Sequence, residues 1–93
     1  MNITKVYFDK ATEKEKEKSK KLEGFADIVI DYSFVIHDIM LLNGEKGEYI
    51  LFPQNYNGKY IAFPVTNEAR LQILYAILDK KAELEAKELA EGR

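Results

Sequence analysis

The segment 34–42 constrains the fold of this chain more than any other, because it is apolar except for the adjacent pair His37 and Asp38. A strand with one face in water alternates apolar and polar side chains, whereas a strand covered on both faces is apolar throughout. The sequence F-V-I-H-D-I-M-L-L follows the second pattern and runs into the turn signal Asn43-Gly44. We therefore predict a central strand in a sheet that is covered on both sides.

The composition describes a single small globular domain. Its 93 residues, 46% of them hydrophobic, make one domain over 1–93 and leave no room for a second core. The absence of cysteine excludes disulfides and thiolate chemistry. No apolar run reaches the roughly 18 residues of a membrane helix, and the N-terminus lacks the apolar block of a signal peptide. We expect a cytoplasmic protein that does not enter a membrane.

The charge balance argues against tight nonspecific binding to nucleic acid. The chain has 14 basic and 16 acidic residues, giving a net charge of −2. Nucleic-acid binders usually carry a basic excess, because contacts to phosphates and release of counterions supply much of their affinity. A local basic patch remains compatible with this balance.

Apolar segments bounded by turn and breaker residues predict a sheet of four to five strands. The predicted strands cover 3–8, 24–31, 34–42, 48–52 and 59–63. Pro53 and Pro64 end the last two, since proline cannot donate to a ladder. In the first strand the spacing of Ile3, Val6 and Phe8 departs from a period of two, which is compatible with a bulge.

The segment 9–23 consists largely of Lys and Glu and has almost nothing to bury. It is compatible with a mobile loop, an extended β-ribbon or a short solvated helix. Because its opposite charges nearly balance, we interpret it as a solvated connection rather than a recognition element.

A long helix is predicted over 67–90. Thr66 is a suitable N-cap, and Glu68 in the first turn is favoured by the helix dipole. The main apolar stripe comprises Leu71, Leu74, Tyr75, Leu78 and Ala82, and it is widened by Ile73, Ile77 and Leu84. Glu83 and Lys87 are spaced for an ion pair. Such a helix is about 36 Å long and spans the domain, so 82–93 is predicted to be solvated or to lie against another subunit.

The pairing of the second and third strands predicts a dimer. A two-residue turn at 32–33 would pair Ile30 with Val35, Ile28 with His37 and Ala26 with Ile39. The opposite face would then carry the apolar residues Phe25, Val29, Phe34, Ile36, Met40 and Leu42. One helix cannot cover both faces, and so large an apolar surface is rare on a monomer. We predict a homodimer through this second face.

The residue types that carry catalysis or bind metals are sparse. His37 is the only histidine, and its neighbour Asp38 should face the opposite side of the strand, so we interpret His37 as a buried structural residue. In the predicted register Asp27 and Asp38 oppose each other, but two carboxylates make a poor cation site, since calcium takes about six to eight oxygen ligands. No phosphate-binding loop, Ser/His/Asp set or zinc spacing occurs. We expect no enzymatic activity, no metal and no cofactor.

Several short motifs occur in a distinctive order between residue 26 and about residue 81. They are A-D-I-V-I-D at 26–31, F-V-I-H-D-I at 34–39, glycines at 44 and 47, Pro53, I-A-F-P at 61–64 and Arg70 within the helix. In this order and setting the chain resembles the stage V sporulation protein G (SpoVG) family. The resemblance implies an antiparallel sheet followed by one long C-terminal helix, an α+β fold that forms dimers.

The resemblance also implies a function. Proteins of this family are small cytoplasmic dimers linked to septation, cell division and sporulation, and several bind DNA or RNA as regulators rather than enzymes. The residues it implies here are Lys59, Arg70, Lys80 and Lys81 as phosphate contacts and Tyr56 as a stacking ring. This chain carries Gln54-Asn55-Tyr56 where relatives place Ser-Lys-Arg, which leaves open a protein–protein interaction module that uses the C-terminal helix or 9–23.

Overall fold

The computed structural model describes residues 1–91 as a four-stranded antiparallel sheet with a long helix packed on one face. In chain order the elements are β1 (Ile3–Lys10), α1 (Glu13–Lys18), β2 (Leu22–Ile30), β3 (Phe34–Gly44), β4 (Gly47–Leu51) and α2 (Asn67–Glu91). Neighbouring strands in the sheet are neighbours in the chain. The α+β fold with one long helix after the sheet is confirmed; of the predicted helix end over 82–93, residues 92 and 93 lie outside the described residues.

The predicted fifth strand over 59–63 does not form a sheet strand. Gln54 and Tyr60 make a single antiparallel bridge, and the backbone N–H of Ile61 donates to the carbonyl of Pro53 at 2.8 Å. The segment is short and lies between Pro53 and Pro64, neither of which can donate to a ladder. It therefore folds back on itself as a loop.

The charged segment 9–23 contains a short helix, one of its three predicted forms. Thr12 Oγ1 accepts a hydrogen bond from the Glu15 N–H at 3.2 Å, and Glu15 Oε1 accepts from the Thr12 N–H at 2.9 Å. This reciprocal capping box satisfies two backbone donors at the start of α1. No residue of α1 is buried, so the helix is held by its cap and by its connections to β1 and β2.

The main core lies between α2 and the sheet. Its buried members are Ala26, Ile28, Ile39, Leu41, Ile50, Phe52, Ile73 and Ile77. Thr66 Oγ1 accepts from the Ala69 N–H at 3.1 Å, which confirms the predicted N-cap. The centre of the packed helix face differs from the prediction, because Ile73 and Ile77 are buried whereas Tyr75 is exposed. The periodicity defines a wide apolar face, but contact with the sheet decides which line of that face is central.

The predicted register of β2 and β3 is right at Ala26–Ile39 and wrong at its other two pairs. The observed pairs are Ile30–Phe34, Val29–Val35, Ile28–Ile36 and Ala26–Ile39. The turn holds three residues, 31–33, and the Ser33 N–H donates to the Ile30 carbonyl at 2.9 Å. Between Ile28 and Ala26 the partner strand gains one residue, which is a β-bulge. A bulge was also anticipated in β1, and the β1–β2 register shifts between Ile3 and Lys5.

The bulge in β3 changes which apolar side chains share a face. Directly paired residues point to the same side of a sheet, so Phe34 with Ile30 and Ile36 with Ile28 lie on the side of α2. Ile36 packs against the main core, and Phe34 is 71% exposed at the end of the hairpin. The six predicted interface residues therefore do not form one face.

The remaining four, Phe25, Val29, Met40 and Leu42, belong to the face opposite α2. There Leu42 is buried with Leu22 and Ala11, and Phe25, Met40 and Leu51 pack around them. The segment leading into α1 thus covers one end of the second face within the same chain.

Candidate functional site

The loop 53–64 presents two of the candidate residues at a braced tip. The Asn55 Oδ1 atom accepts hydrogen bonds from the backbone N–H groups of Asn57 at 2.9 Å and Lys59 at 3.0 Å. The Asn55 N–H donates to the Lys59 carbonyl at 2.8 Å, and Gly58 supplies the positive φ of 81° that the turn requires. Tyr56 at the tip is 99% exposed, and Lys59 is exposed beside it. The loop therefore offers an aromatic ring and a cation on a hydrogen-bonded frame.

Arg70 lies at the strand end from which this loop departs. Its guanidinium carbon is 5.9 Å from the centroid of the Phe52 ring, within the range of a cation–π contact. Phe52 is buried and directly precedes Pro53. The contact therefore holds Arg70, on the first turns of α2, next to the base of the loop.

Lys80 is engaged with an acidic neighbour on its own helix. Its Nζ lies 3.4 Å from Glu83 Oε1, a pair three residues apart with Glu83 largely exposed. The prediction had paired Glu83 with Lys87; the carboxylate instead lies next to Lys80. An exposed pair of this kind contributes little to stability, and it leaves part of the Lys80 charge available to a ligand.

Lys81 lies at the centre of three carboxylates. Its Nζ is 3.4 Å from Glu23, 3.6 Å from Glu48 and 3.5 Å from Glu85. These carboxylates come from β2, β4 and α2, so Lys81 joins the helix to two strands. Three negative charges around one ammonium group make this surface locally acidic. Lys81 is therefore the weakest phosphate contact among the candidates.

Burial and mutual repulsion perturb this cluster. Burial raises the pKa of Glu23 first, and the neighbouring Glu48 carboxylate raises it further, although Lys81 opposes the shift. Burial alone would lower the pKa of Lys81, but the charges of Glu23, Glu48 and Glu85 outweigh it and the pKa is raised. Glu23 Oε2 and Glu48 Oε2 are buried without a hydrogen-bond partner. Glu23 thus lies where it gains from holding a proton.

His37 was predicted to be a buried structural residue, and this prediction is wrong. The side chain is 65% exposed rather than buried, and its Nδ1 lies 3.1 Å from Asp27 Oδ2. His37 and Asp38 do not form a pair, as expected for neighbours on a strand. Because the bulge gives β3 an extra residue, His37 stands beside Asp27 on the face opposite α2.

Asp27 and Asp38 meet across the two strands, through the Asp38 backbone. Asp27 Oδ1 accepts a hydrogen bond from the Asp38 backbone N–H at 3.0 Å, and Asp38 has a positive φ of 61°. This backbone hydrogen bond is the main cause that lowers the pKa of Asp27, with a smaller contribution from His37, while burial acts in the opposite direction. Asp27 therefore secures the bulge as an anion.

Two classes of site receive no support within residues 1–91. No group of three or more His, Asp or Glu side chains there is arranged to hold a metal ion. In the same range, no helix is both long enough and apolar enough to cross a membrane.

Comparison with known proteins identifies the family. A sequence model of the SpoVG family matches residues 1–83. Proteins named "Putative septation protein SpoVG" are similar to the chain in several bacteria. That of Agathobacter rectalis is 40% identical over 74 residues, covering 74% of this chain and 85% of the relative. That of Lachnospira eligens is 37% identical over 89 residues, covering 89% and 96%. With a match over most of its length, the chain belongs to the SpoVG family.

Proposed function

We propose that this protein is a small dimeric regulator of the septation and sporulation type that binds DNA or RNA through Tyr56, Lys59 and Arg70. The observation that supports the proposal most is the fully exposed Tyr56 ring beside Lys59 on a hydrogen-bonded loop. Stacking of a base on an exposed ring contributes about 1–3 kcal/mol. The loop frame reduces the ordering that binding would otherwise require.

The proposed interface is weakly basic, and this determines how it should behave. Lys59 and Arg70 have no carboxylate within 4.0 Å in residues 1–91, whereas Lys80 shares its charge with Glu83 and Lys81 is surrounded by carboxylates. Lys59, Arg70 and part of the Lys80 charge give about two to three effective phosphate contacts, so log K should fall with log salt with a slope of roughly −1.4 to −2.7. Binding is therefore expected at low salt and should weaken sharply at physiological salt.

The dimer is proposed on the face opposite α2. Phe25, Val29 and Met40 are only half-buried there, and Val35 is 48% exposed beside them. A second copy would remove this apolar surface from water. Light scattering coupled to gel filtration tests the proposal: a dimer is expected at micromolar concentration, and a species of 10.8 kDa would reject it.

Fluorescence anisotropy with labelled 20-mers, single-stranded and duplex, tests nucleic-acid binding. Tyr56→Ala and Lys59→Gln should each weaken binding about 5- to 30-fold, in line with the loss of one stacked base or one close phosphate contact. Lys46→Gln, a charge-matched change in the exposed turn between β3 and β4, is the control and should change affinity less than about twofold. Absence of binding by the wild-type protein to any oligonucleotide at low salt would reject the function.

A second candidate is a protein–protein interaction module on the same fold. It is favoured by the distal part of α2, where Leu89 is 70% exposed on a helix whose lysines Lys80 and Lys81 are paired with carboxylates. A specific partner captured by the full chain should be lost when 82–93 is deleted. A partner retained after that deletion, and after removal of 9–23, would exclude both segments as the contact.

A further inference from the structure

A cleft of about 700 Å³ lies between α1, the ends of β1 and β2, and the distal half of α2. This volume falls within the range of small-molecule binding sites. The cleft is separate from the loop 53–64, since no residue of that loop lines it. It therefore calls for an explanation independent of the proposed nucleic-acid interface.

One side of the cleft is rich in unpaired positive charge. It is lined by Lys10 at the end of β1 and by Lys16, Lys20 and Lys21 from the connection between β1 and β2. Within residues 1–91 none of these four has a carboxylate within 4.0 Å, in contrast to Lys81, which lines the same cleft. Ammonium groups that line one cleft without a carboxylate in contact favour a ligand with several negative charges.

The other side has a different character. Glu85, Glu88 and Glu91 line the cleft from α2, with Lys87 between them, and these carboxylates can accept hydrogen bonds from hydroxyl or amino groups. Asp9 and Glu23 also line it, with the charge of Glu23 opposed by Lys81. With five acidic residues beside its lysines, the cleft favours a ligand that has its negative charge at one end over a long polyanion such as a stretch of nucleic-acid backbone.

The cleft also has an apolar lining. Phe8, Leu22 and Leu84 contribute side chains to it. The Phe8 ring packs over Gly24, where an added Cβ would lie 2.5 Å from its Cζ, and against the main core. A flat organic ring can lie against such a surface.

We propose that this cleft binds a nucleotide carrying two or more phosphates. The phosphates would contact Lys10, Lys16, Lys20 and Lys21, the base would lie against Phe8 and Leu84, and ribose hydroxyls or a base amino group would donate to Glu85 or Glu88. The site would let a small metabolite act on α1 and the end of α2, and it does not depend on the proposed function of the loop 53–64.

Isothermal titration calorimetry with AMP, ADP, ATP and tripolyphosphate in EDTA at low salt tests the proposal. Affinity should rise from AMP to ADP to ATP, and ATP should bind at least tenfold more tightly than tripolyphosphate. The triple variant Lys16→Gln/Lys20→Gln/Lys21→Gln should weaken ATP binding at least tenfold. Lys14→Gln/Lys18→Gln, changes in the same charged segment at lysines that do not line the cleft, should change it less than threefold.

Several outcomes would overturn the proposal. They are no saturable ATP binding at millimolar concentration, tripolyphosphate binding as tightly as ATP, or equal losses in the two sets of lysine variants. Because none of the substituted side chains is buried, the variants should fold, and circular dichroism checks this. Amide chemical shifts provide a second measurement on the wild-type protein: ATP should shift signals of residues 16–23 and 84–91 and leave Gly58 unchanged, and shifts centred on Gly58 would reject the site.

Displacement of bound ATP by a single-stranded oligonucleotide would show that the cleft takes phosphates from nucleic acid and would also overturn the proposal. The two proposals remain distinguishable, because loss of oligonucleotide binding in Tyr56→Ala with unchanged ATP binding would separate the loop from the cleft. A wild-type protein that binds ATP but no oligonucleotide would reject only the proposed function.

Discussion

The carboxylate of Asp27 on β2 accepts a hydrogen bond from the backbone N–H of Asp38 on β3, at 3.0 Å. The backbone of Asp38 has a φ of 61°, in the left-handed region that residues other than glycine rarely adopt. One side chain thus stabilises the bulge that decides which residues of β3 face α2. Without the extra residue, Ile36 and Ile39 could not both point into the core.

The Asp27–Asp38 contact predicts a ranked set of stabilities. Asp27→Ala should lower the free energy of unfolding by about 1 kcal/mol, because the Asp38 N–H loses a charged acceptor at a partly exposed site. Asp27→Asn retains an acceptor and should lose less. Urea denaturation measures both.

Substitutions at Asp38 provide the control for this contact. Asp38→Gly should be neutral or slightly stabilising, since glycine adopts a positive φ without strain, whereas Asp38→Val should lose about 1–2 kcal/mol. Equal stability of the glycine and valine variants would show that the bulge is not present in solution.

The lowered pKa of Asp27 predicts an acid-dependent loss of stability. The unfolded state takes up the proton near the ordinary Asp pKa of about 3.9, whereas the folded state does so only at lower pH. The contribution of Asp27 is therefore fully present above that value and is lost as the pH falls through the folded pKa. The difference in unfolding free energy between wild type and Asp27→Asn should shrink between about pH 5 and pH 2. A difference that stays constant over this range would contradict the assignment.

The contribution of Glu23 to stability should depend on pH in the opposite direction. Its raised pKa means that the folded state keeps a proton that the unfolded state releases near pH 4.3, roughly the ordinary Glu value. The stability linked to this proton is present at lower pH and is lost as the pH rises through the folded pKa. Wild type compared with Glu23→Gln should therefore lose relative stability between about pH 4 and pH 6. A gain over that interval would show that Lys81, rather than burial, dominates Glu23.

The strands and the main helix could be predicted from local patterns. The apolar runs of the first four strands and the cap at Thr66 concern neighbours in the chain, and they were confirmed. The turn predicted from Asn43-Gly44 lies two residues later, at 45–46, because β3 continues to Gly44, which pairs with Gly47. The short helix α1 had a readable signal that the prediction did not use, since Thr12 and Glu15 have the spacing of a capping box. Its many charges masked that signal, because they carry no hydrophobic periodicity.

The bulges and the ion cluster could not be predicted from the sequence in the same way. The β3 bulge depends on a bond between Asp27 and Asp38, which only the folded hairpin brings together. A second shift in register lies between Leu22 and Gly24, where Glu23 is the additional residue and its carboxylate reaches Lys81. A one-residue shift moves every later side chain to the other face, so the predicted interface failed at Phe34 and Ile36.

The cluster around Lys81 predicts that substitution of Lys81 destabilises the protein more than substitution of the adjacent Lys80. Lys81→Gln should lower the free energy of unfolding by about 2 kcal/mol, because it leaves the half-buried carboxylates of Glu23 and Glu48 facing each other. This loss is smaller than the one expected when a fully buried ion pair is broken. Lys80→Gln, the adjacent matched change, should lose less than about 0.5 kcal/mol since its pair is exposed. Thermal and urea unfolding of the two variants provide the comparison.

Adding Glu23→Gln to Lys81→Gln should recover part of the lost stability. The second change removes one of the two carboxylates that repel each other, so the double variant should be more stable than Lys81→Gln alone. Additive losses in this double-mutant cycle would show that Lys81 acts through packing of its alkyl chain rather than through charge.

Substitution of Gly24 should destabilise the protein through a steric clash, whereas substitution of Gly58 should do so through backbone strain. A Cβ added there would lie 2.5 Å from the Asp9 carbonyl oxygen and 2.5 Å from Cζ of Phe8. Because the carbonyl belongs to the β1–β2 ladder, it cannot move aside freely, and Gly24→Ala should lose about 1–3 kcal/mol. At Gly58 an added Cβ meets nothing within 4 Å, but φ is 81°, so Gly58→Ala should lose about 1 kcal/mol through backbone strain alone.

Asparagine separates the two causes, since it tolerates a positive φ: Gly58→Asn should recover most of the loss, whereas Gly24→Asn should be at least as unstable as Gly24→Ala. Urea denaturation of the four variants tests this order, and a stable Gly24→Asn would mean that the β1–β2 pairing at this point is looser than the structure shows.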